Sequence, residues 1–350
     1  MNIINKSVYP ASLVLWGVLT FFLLSSLSYS LENNTIGKSS DGCYVHKMDL
    51  QSESLRNNDT ILRYKLNRGV YFKALPTRKV QSLSSLKKKY GEDGVKLILA
   101  LSRVDEKLFR KTDTLIVPSV MANLLSFSPF PFIIEQARDI PKLILISRKL
   151  QAIAAYEHGT LVHWGPTSTG RREKPTPEGL FSMNWKAKKT TSTIDDDWVL
   201  PYYFNFNNKE GVALHQFEMP GYPASHACVR LWESDAKWFF YWGDQWVLDQ
   251  EGRFVAHGTP VIVFDEFRWG KRKTWRGLLE NSNSARVTQN EVDNLMEKYL
   301  PTIKERTEKR ETYLADIKRK KEILKKAKEY IVVPMPLMSA KPVNTSNLSE

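Results

Sequence analysis

The stretch from Leu143 to Trp164 leaves room for little besides strands. Leu143-Ile144-Leu145-Ile146 and Gln151-Ala152-Ile153-Ala154-Ala155-Tyr156 are short apolar runs, and Ser147–Lys149 between them reads as a turn. Glu157-His158-Gly159 then turns the chain into Thr160-Leu161-Val162-His163-Trp164. Runs of that length suit strands and are too short for core helices. Further strands are expected at Gly179–Met183, Val212–Gln216 and Pro260–Phe264, with one helix at Asp235–Trp242 and Ser234 as its N-cap. Residues 141–267 are therefore expected to form a mainly β domain.

The flanking segments differ in kind. Lys6 is the only charge ahead of an apolar run from Val8 to Leu27, long enough to cross a bilayer, and Ser28-Tyr29-Ser30 follows like a cleavage site. Residues 1–31 are expected to be a signal peptide or a membrane anchor, and residues 32–63 a polar linker. Residues 64–140 read as a small α/β domain, with a strand at Val70–Phe72, helices at Leu83–Tyr90 and near 95–101, and a strand at Thr114–Val117 stopped by Pro118. That order, with Tyr90-Gly91 and Leu97-Ile98-Leu99, resembles a LysM-like carbohydrate-binding module and implies a glycan contact; a generic α/β packing domain is the other reading. Residues 268–335 are expected to be a basic helical extension, with its helix at 288–331, and 336–350 a disordered tail. Ile317, Leu324 and Ile331 are spaced like a coiled-coil seam, but Arg310 and Lys320 fall on it. A solvated helix packing one stripe on its own domain is expected instead.

Composition narrows the partners. The chain has 51 Lys and Arg against 38 Asp and Glu, for a net +13, and is 42% hydrophobic, which excludes a mostly disordered chain. From Lys271 to Lys328, 17 basic and 9 acidic residues (17 − 9) hold +8 of that surplus. Such charge favours polyanionic partners and says nothing about fold. Nucleic acid is not an expected partner: no motif for it is present, and the leader-like N-terminus argues for export. Two cysteines, Cys43 and Cys228, are too few for a disulfide framework.

The chemistry concentrates between Ala213 and Trp242. Leu214-His215 is followed by Ser225-His226-Ala227-Cys228-Val229-Arg230-Leu231. A nucleophilic cysteine needs a proton acceptor and positive charge to lower its pKa from about 8.5. It also needs backbone N–H groups facing the oxyanion, which a tight turn through Ala227-Cys228 supplies. His215, His226 and Cys228 are also zinc-type ligands, but a fourth at suitable spacing is missing. His158 and His163 read as turn or strand-surface residues. Most of Trp232, Trp238, Trp242 and Trp246 read as core.

Residues 143–264 resemble the catalytic domain of L,D-transpeptidases of the YkuD type. Ser168-Thr169-Gly170 and Thr176-Pro177-Glu178-Gly179 match its S-T-G…T-P-x-G elements, and His215 with Ser225–Arg230 matches its H…S-H-G-C-[IV]-R signature. The resemblance implies a YkuD-like mixed β-sandwich with one or two helices. It makes Cys228 the nucleophile and His215 the general base. His226, Arg230, Ser225 and Ala227 would support the site, Arg230 organising the loop and Ser225 hydrogen-bonding within the turn. It implies peptidoglycan stem peptides as substrate, no metal and no cofactor, and a place in the bacterial periplasm or cell envelope, with membrane contact only through an uncleaved N-terminal segment. Attack on the carbonyl of the third stem residue would expel D-alanine, leave a thioester and pass the acyl group to an amine. An L,D-carboxypeptidase, in which water deacylates the thioester, and a non-catalytic peptidoglycan-binding scaffold are the alternatives. Two departures from the pattern stand out. The family's glycine is Ala227 here, for which a negative φ is expected, and only 13 positions (228 − 215) separate His215 from Cys228.

Overall fold

The computed structural model describes residues 70–192 and 197–331. The expected leader at 1–31, the linker at 32–63, Cys43 and the tail at 336–350 lie outside the described residues. The first described elements are β1 (Phe72–Pro76), α1 (Leu83–Ser102) and β2 (Thr114–Pro118), with β1 and β2 paired antiparallel. The first strand thus begins at Phe72, later than the Val70 expected. A Ser82–Ser85 capping box starts α1, and Gly91 at φ 74° breaks it into the two helical pieces that Tyr90-Gly91 foreshadows.

Two sheets follow. The first contains β3 (Lys142–Ser147), β4 (Ala152–Glu157), β5 (Thr160–Pro166), β6 (Gly179–Ser182) and, from further along the chain, β13 (Pro260–Phe264). Its order is β5-β4-β3-β13-β6, with β3 and β13 parallel and the other neighbours antiparallel. The second contains β7 (Lys186–Thr191), β8 (Val199–Asn207), β9 (Val212–Gln216) and β10 (Val229–Leu231), in the order β10-β9-β8-β7 with β9 and β10 parallel. Helix α2 (Glu233–Trp242) follows β10, and a short β11–β12 pair (Val247–Leu248, Phe254–Ala256) precedes β13.

Burial explains the sequence patterns. One face of the first sheet, carrying Ile144, Ile146, Ile153 and Val261, packs on Phe204, Phe206, Leu214 and Val229 of the second sheet and on Phe239 of α2. Its other face, carrying Leu143, Leu145, Ala154 and Ile262, packs on Leu97 and Leu101 of α1 and on Val292, Met296 and Ile303 of α3 (Gln289–Ile331). Buried on both faces, β3, β4 and β13 read as continuous apolar runs. The second sheet buries only one face completely and presents the other, which carries the site.

Arg103 ends α1 in a left-handed conformation, φ 62°, and is 1% exposed. Its Nε donates to Leu150 O at 2.8 Å, and its guanidinium lies 5.4 Å from the Trp164 ring centroid and 5.9 Å from that of Trp275. Carbonyls and aromatic faces thus replace water around a buried cation, tying α1 to the sandwich. The expected N-cap of α2 is corrected: Trp232 occupies that position without a side-chain bond, and Ser234 sits within the first turn. Glu233 and Asp235 in that turn face the positive end of the helix dipole instead. Trp232, Trp238 and Trp242 pack against core clusters as expected.

Helix α3 buries a stripe only at its start, through Val292, Met296 and Ile303, whereas Leu324 is 62% exposed. Ile303→Ala is therefore expected to destabilise the protein by about 2–5 kcal/mol, and Leu324→Ala by under about 0.5 kcal/mol. Chemical denaturation of the two variants measures the difference, and equal losses would contradict this packing.

Candidate active site

The loop that carries Cys228 is strapped to a second segment, Ser168–Thr176. Ser168 and Arg230 exchange backbone bonds of 3.1 and 3.0 Å, Ser225 N donates to Thr169 O at 3.1 Å, and Arg171 N donates to Ser225 O at 2.9 Å. Side chains complete the strap. Ser168 Oγ donates to Tyr222 O at 2.7 Å and accepts from Ala224 N at 3.1 Å. Thr176 Oγ1 accepts from Gly170 N at 2.9 Å and donates to Ala227 O at 2.6 Å. Ser225 Oγ donates to Cys228 O, closing the turn from within. Gln151 holds the strap from below, its Oε1 accepting from Thr169 N at 2.9 Å and its Nε2 donating to Thr169 Oγ1 at 2.7 Å. Ser168, Thr169, Thr176 and Ser225 are at most 2% exposed, so these bonds are made away from water. Gly170 is required at its position: a Cβ there would stand 2.2 Å from Lys174 O and 2.5 Å from Thr176 N.

Register then sets the face. Val229 pairs with Leu214 and Arg230 with His215, so Cys228 stands beside Ala213 at the end of the β9–β10 pair. Side chains alternate along a strand, so Leu214 and Val229 point into the core while Ala213, His215 and Cys228 share the opposite face. Arg230 bends over the Phe217 ring, 4.5 Å from its centroid, and donates to Glu218 O at 3.3 Å.

The thiol of Cys228 is half-buried; its Sγ lies 3.7 Å from Gly211 O, and the Ala213 N–H faces the sulfur. Burial pushes the thiol pKa up, opposed by that N–H and by the Arg230 charge. His215 is 4% exposed, and burial, with Arg230 assisting, lowers its pKa to about 4. Its Nδ1 lies 3.0 Å from Gln216 O. A carbonyl only accepts, so Nδ1 carries the hydrogen and Nε2 keeps the lone pair a base needs. Thiol and imidazole do not hydrogen-bond to each other in this arrangement; each is turned to a backbone carbonyl. His226 lies against Trp198 at 5.5 Å, its Nδ1 without a hydrogen-bond partner among the described residues. Its pKa is lowered by burial and by Arg171, Arg230 and Lys174. The site is therefore electropositive, with both ring bases neutral at pH 7.

All six sequence-identified residues, Cys228, His215, His226, Arg230, Ser225 and Ala227, fall on this loop and its neighbouring strand. One expectation is overturned. Ala227 has φ 85°, in the left-handed region, in a turn whose carbonyl Thr176 holds as the chain swings round to present Cys228. Tyr203 was not legible in the sequence. Its Oη donates to Gly211 O at 3.1 Å, the carbonyl that also faces the Cys228 thiol, and burial raises its pKa. Among the described residues no group of three or more His, Cys, Asp and Glu side chains is placed to hold a metal ion. His163 lies elsewhere, stacked on Trp238 at 4.3 Å, and His158 sits in the β4–β5 turn.

Fold and site thus define a two-sheet, mainly β domain that presents a cysteine beside a buried, neutral histidine. Residues 141–263 match the family model of the L,D-transpeptidase catalytic domain, YkuD, and this part of the chain resembles that domain. Among solved structures, an L,D-transpeptidase from Stackebrandtia nassauensis is 25% identical, with a TM-score of 0.30, over 36% of this chain and 57% of that one. One from Mycobacterium smegmatis is 18% identical, with a TM-score of 0.29, over 36% and 59%. One from Mycobacterium tuberculosis H37Rv is 21% identical, with a TM-score of 0.28, over 36% and 58%. The chain spans less than two thirds of each of these proteins. No curated protein matches.

Alanine at positive φ costs about 1–2 kcal/mol, which outweighs the 0.4–1 kcal/mol that glycine adds to unfolded-state freedom. Ala227→Gly is therefore expected to stabilise the protein by up to about 1.6 kcal/mol, read as a rise in melting temperature; a fall would contradict the strained turn. Thr176→Val leaves the Gly170 N–H and Ala227 C=O unpaired, and is expected to cost about 2–4 kcal/mol in denaturation experiments. A cost under about 0.5 kcal/mol would show that the strap does not depend on that hydroxyl.

Proposed function

We propose that this chain is an exported L,D-transpeptidase acting on peptidoglycan stem peptides outside the cytoplasm. The observation that carries the reading is the placement of Cys228: a strained, strapped turn sets its thiol on one sheet face with the neutral imidazole of His215 and the Arg230 cation. His215 Nε2 takes the thiol proton as sulfur attacks the carbonyl of the third residue of a tetrapeptide stem. Backbone N–H groups at the Ala227–Cys228 turn stabilise the oxyanion. The C–N bond to D-alanine breaks, the leaving amine takes the proton from imidazolium, and a Cys228 thioester remains. A stem amine then attacks the thioester, His215 removes its proton, and the thiol is restored in a 3→3 cross-link. Arg230, Arg171 and Lys174 suit the carboxylates of such a donor. The β1–α1–β2 unit is the proposed glycan contact.

Incubation of the purified protein with tetrapeptide-stem peptidoglycan, followed by mass analysis of muropeptides, is expected to show cross-linked tripeptide–tetrapeptide dimers and released D-alanine. Tripeptide monomers alone would establish the L,D-carboxypeptidase reaction instead, and unchanged muropeptides the non-catalytic scaffold.

The histidines separate by role. His215→Ala is expected to slow acylation by about 10²–10⁴-fold, and His226→Gln by less. A larger loss at His226 would reverse the base assignment. Because burial lowers His215 to about 4, the base stays neutral well below the ordinary histidine value of about 6.5. Acylation is therefore expected to hold down to about pH 5 and to fall as pH drops through about 4. An acid limb centred near 6.5 in stopped-flow acylation would contradict this assignment.

A further inference from the structure

Helix α3 is longer than the surface it packs on. At 1.5 Å per residue its 43 residues span about 65 Å, but its buried side chains end at Ile303. Arg310 Nη1 still donates to Gln245 O at 3.0 Å and His257 O at 2.9 Å. From Ala315 to Lys328, no described hydrogen bond or ion pair ties the helix to the body; Arg319 pairs with Asp316 at 3.2 Å within it.

The unpartnered half has its own pattern. Between Thr312 and Lys328 stand seven Lys and Arg against Asp316 and Glu322, a net +5 (7 − 2). At about 100° per residue, Tyr313, Ile317 and Leu324 fall within about 40° of one another. Lys320 borders that stripe on one side, and Lys321 and Lys328 on the other. Within the stripe Leu324 is 62% exposed and Tyr313 and Ile317 are half-buried; Leu314, 40% exposed, and Ile323, 60% exposed, lie off the stripe on either side. Lys318/Lys321, Lys321/Lys325 and Lys325/Lys328 place like charges at i,i+3 and i,i+4, offset by the opposite-charge pairs Asp316/Lys320, Lys318/Glu322 and Glu322/Lys326 at i,i+4. Five positive charges thus remain uncompensated beside the exposed Leu324 on a stretch that makes no described bond to the body. A soluble polyanion satisfies the lysines but leaves the apolar stripe in water. A second copy covers the stripe but brings Lys321 and Lys328 against the same charges. A bilayer with anionic headgroups satisfies both, the stripe entering the acyl boundary and the lysines reaching headgroup phosphates.

We propose that residues 312–328 of α3 lie on the surface of an anionic phospholipid bilayer, giving the catalytic domain a membrane contact separate from its N-terminal segment. Hydrogen–deuterium exchange on the full chain reads this helix apart from any insertion of residues 8–27. With vesicles containing phosphatidylglycerol, amide exchange across 312–328 is expected to slow by at least about tenfold relative to pure phosphatidylcholine vesicles. The protection should disappear at high salt and in the combined variant Lys320→Gln, Lys321→Gln, Lys325→Gln, Lys328→Gln. Leu324→Glu should lose it while keeping the charge surplus close to wild type. Equal protection by phosphatidylcholine would overturn the electrostatic contact. Equal protection by soluble polyphosphate would make the ligand a free polyanion and overturn the bilayer. Protection that grows with protein concentration without vesicles would make the occupant a second copy, and no protection under any condition would end the proposal.

Discussion

The pairing of Ser168–Thr176 with the loop 224–230 is the constraint on which the site depends. A cysteine at the start of a short edge strand would otherwise sit on an irregular loop with many conformations. Here buried hydroxyls, a buried amide side chain and backbone exchanges remove that freedom. The cost is an alanine in the left-handed region, and many bonds made away from water over-determine the conformation enough to hold it. A turn fixed in this way holds its backbone before any substrate arrives, and donors held in place beforehand are what electrostatic stabilisation of an oxyanion requires.

The two sheets divide the labour. The first is buried on both faces by the second sheet and by α1 and α3, and gives a rigid floor. The second uses one face for that packing and leaves the other for His215, Cys228, Phe217 and Tyr203. Because neighbouring positions alternate, a single strand carries Leu214 into the core and His215 into the site. Burial of His215 follows from this placement and lowers its pKa, so the feature that positions the imidazole also keeps it unprotonated.

Much of this is legible in the chain. Leu143–Ile146, Gln151–Tyr156, Val212–Gln216 and Pro260–Phe264 announce strands because their apolar runs are short and bounded by turns. Strands β7 and β8 escape notice: Lys186–Thr191 has only polar and small side chains, and Pro201 interrupts Val199–Asn207. The site's residue types were readable from spacing, but not the φ of Ala227, since the turn it belongs to is held from Thr176 across the strap, 51 positions away. Tyr203 was invisible for a similar reason. Only the β8–β9 pairing brings its hydroxyl to Gly211, and nothing local in the sequence marks it.

The central claim is that this strap presents the Cys228 thiol as the nucleophile. A carbapenem tests it directly, because ring opening by a thiol adds the whole reagent mass and leaves a thioester that peptide mapping can locate. The account predicts one adduct per chain, on the peptide containing Cys228, and none in Cys228→Ala. An adduct that forms in Cys228→Ala at the wild-type rate, or that maps to another residue, would contradict it.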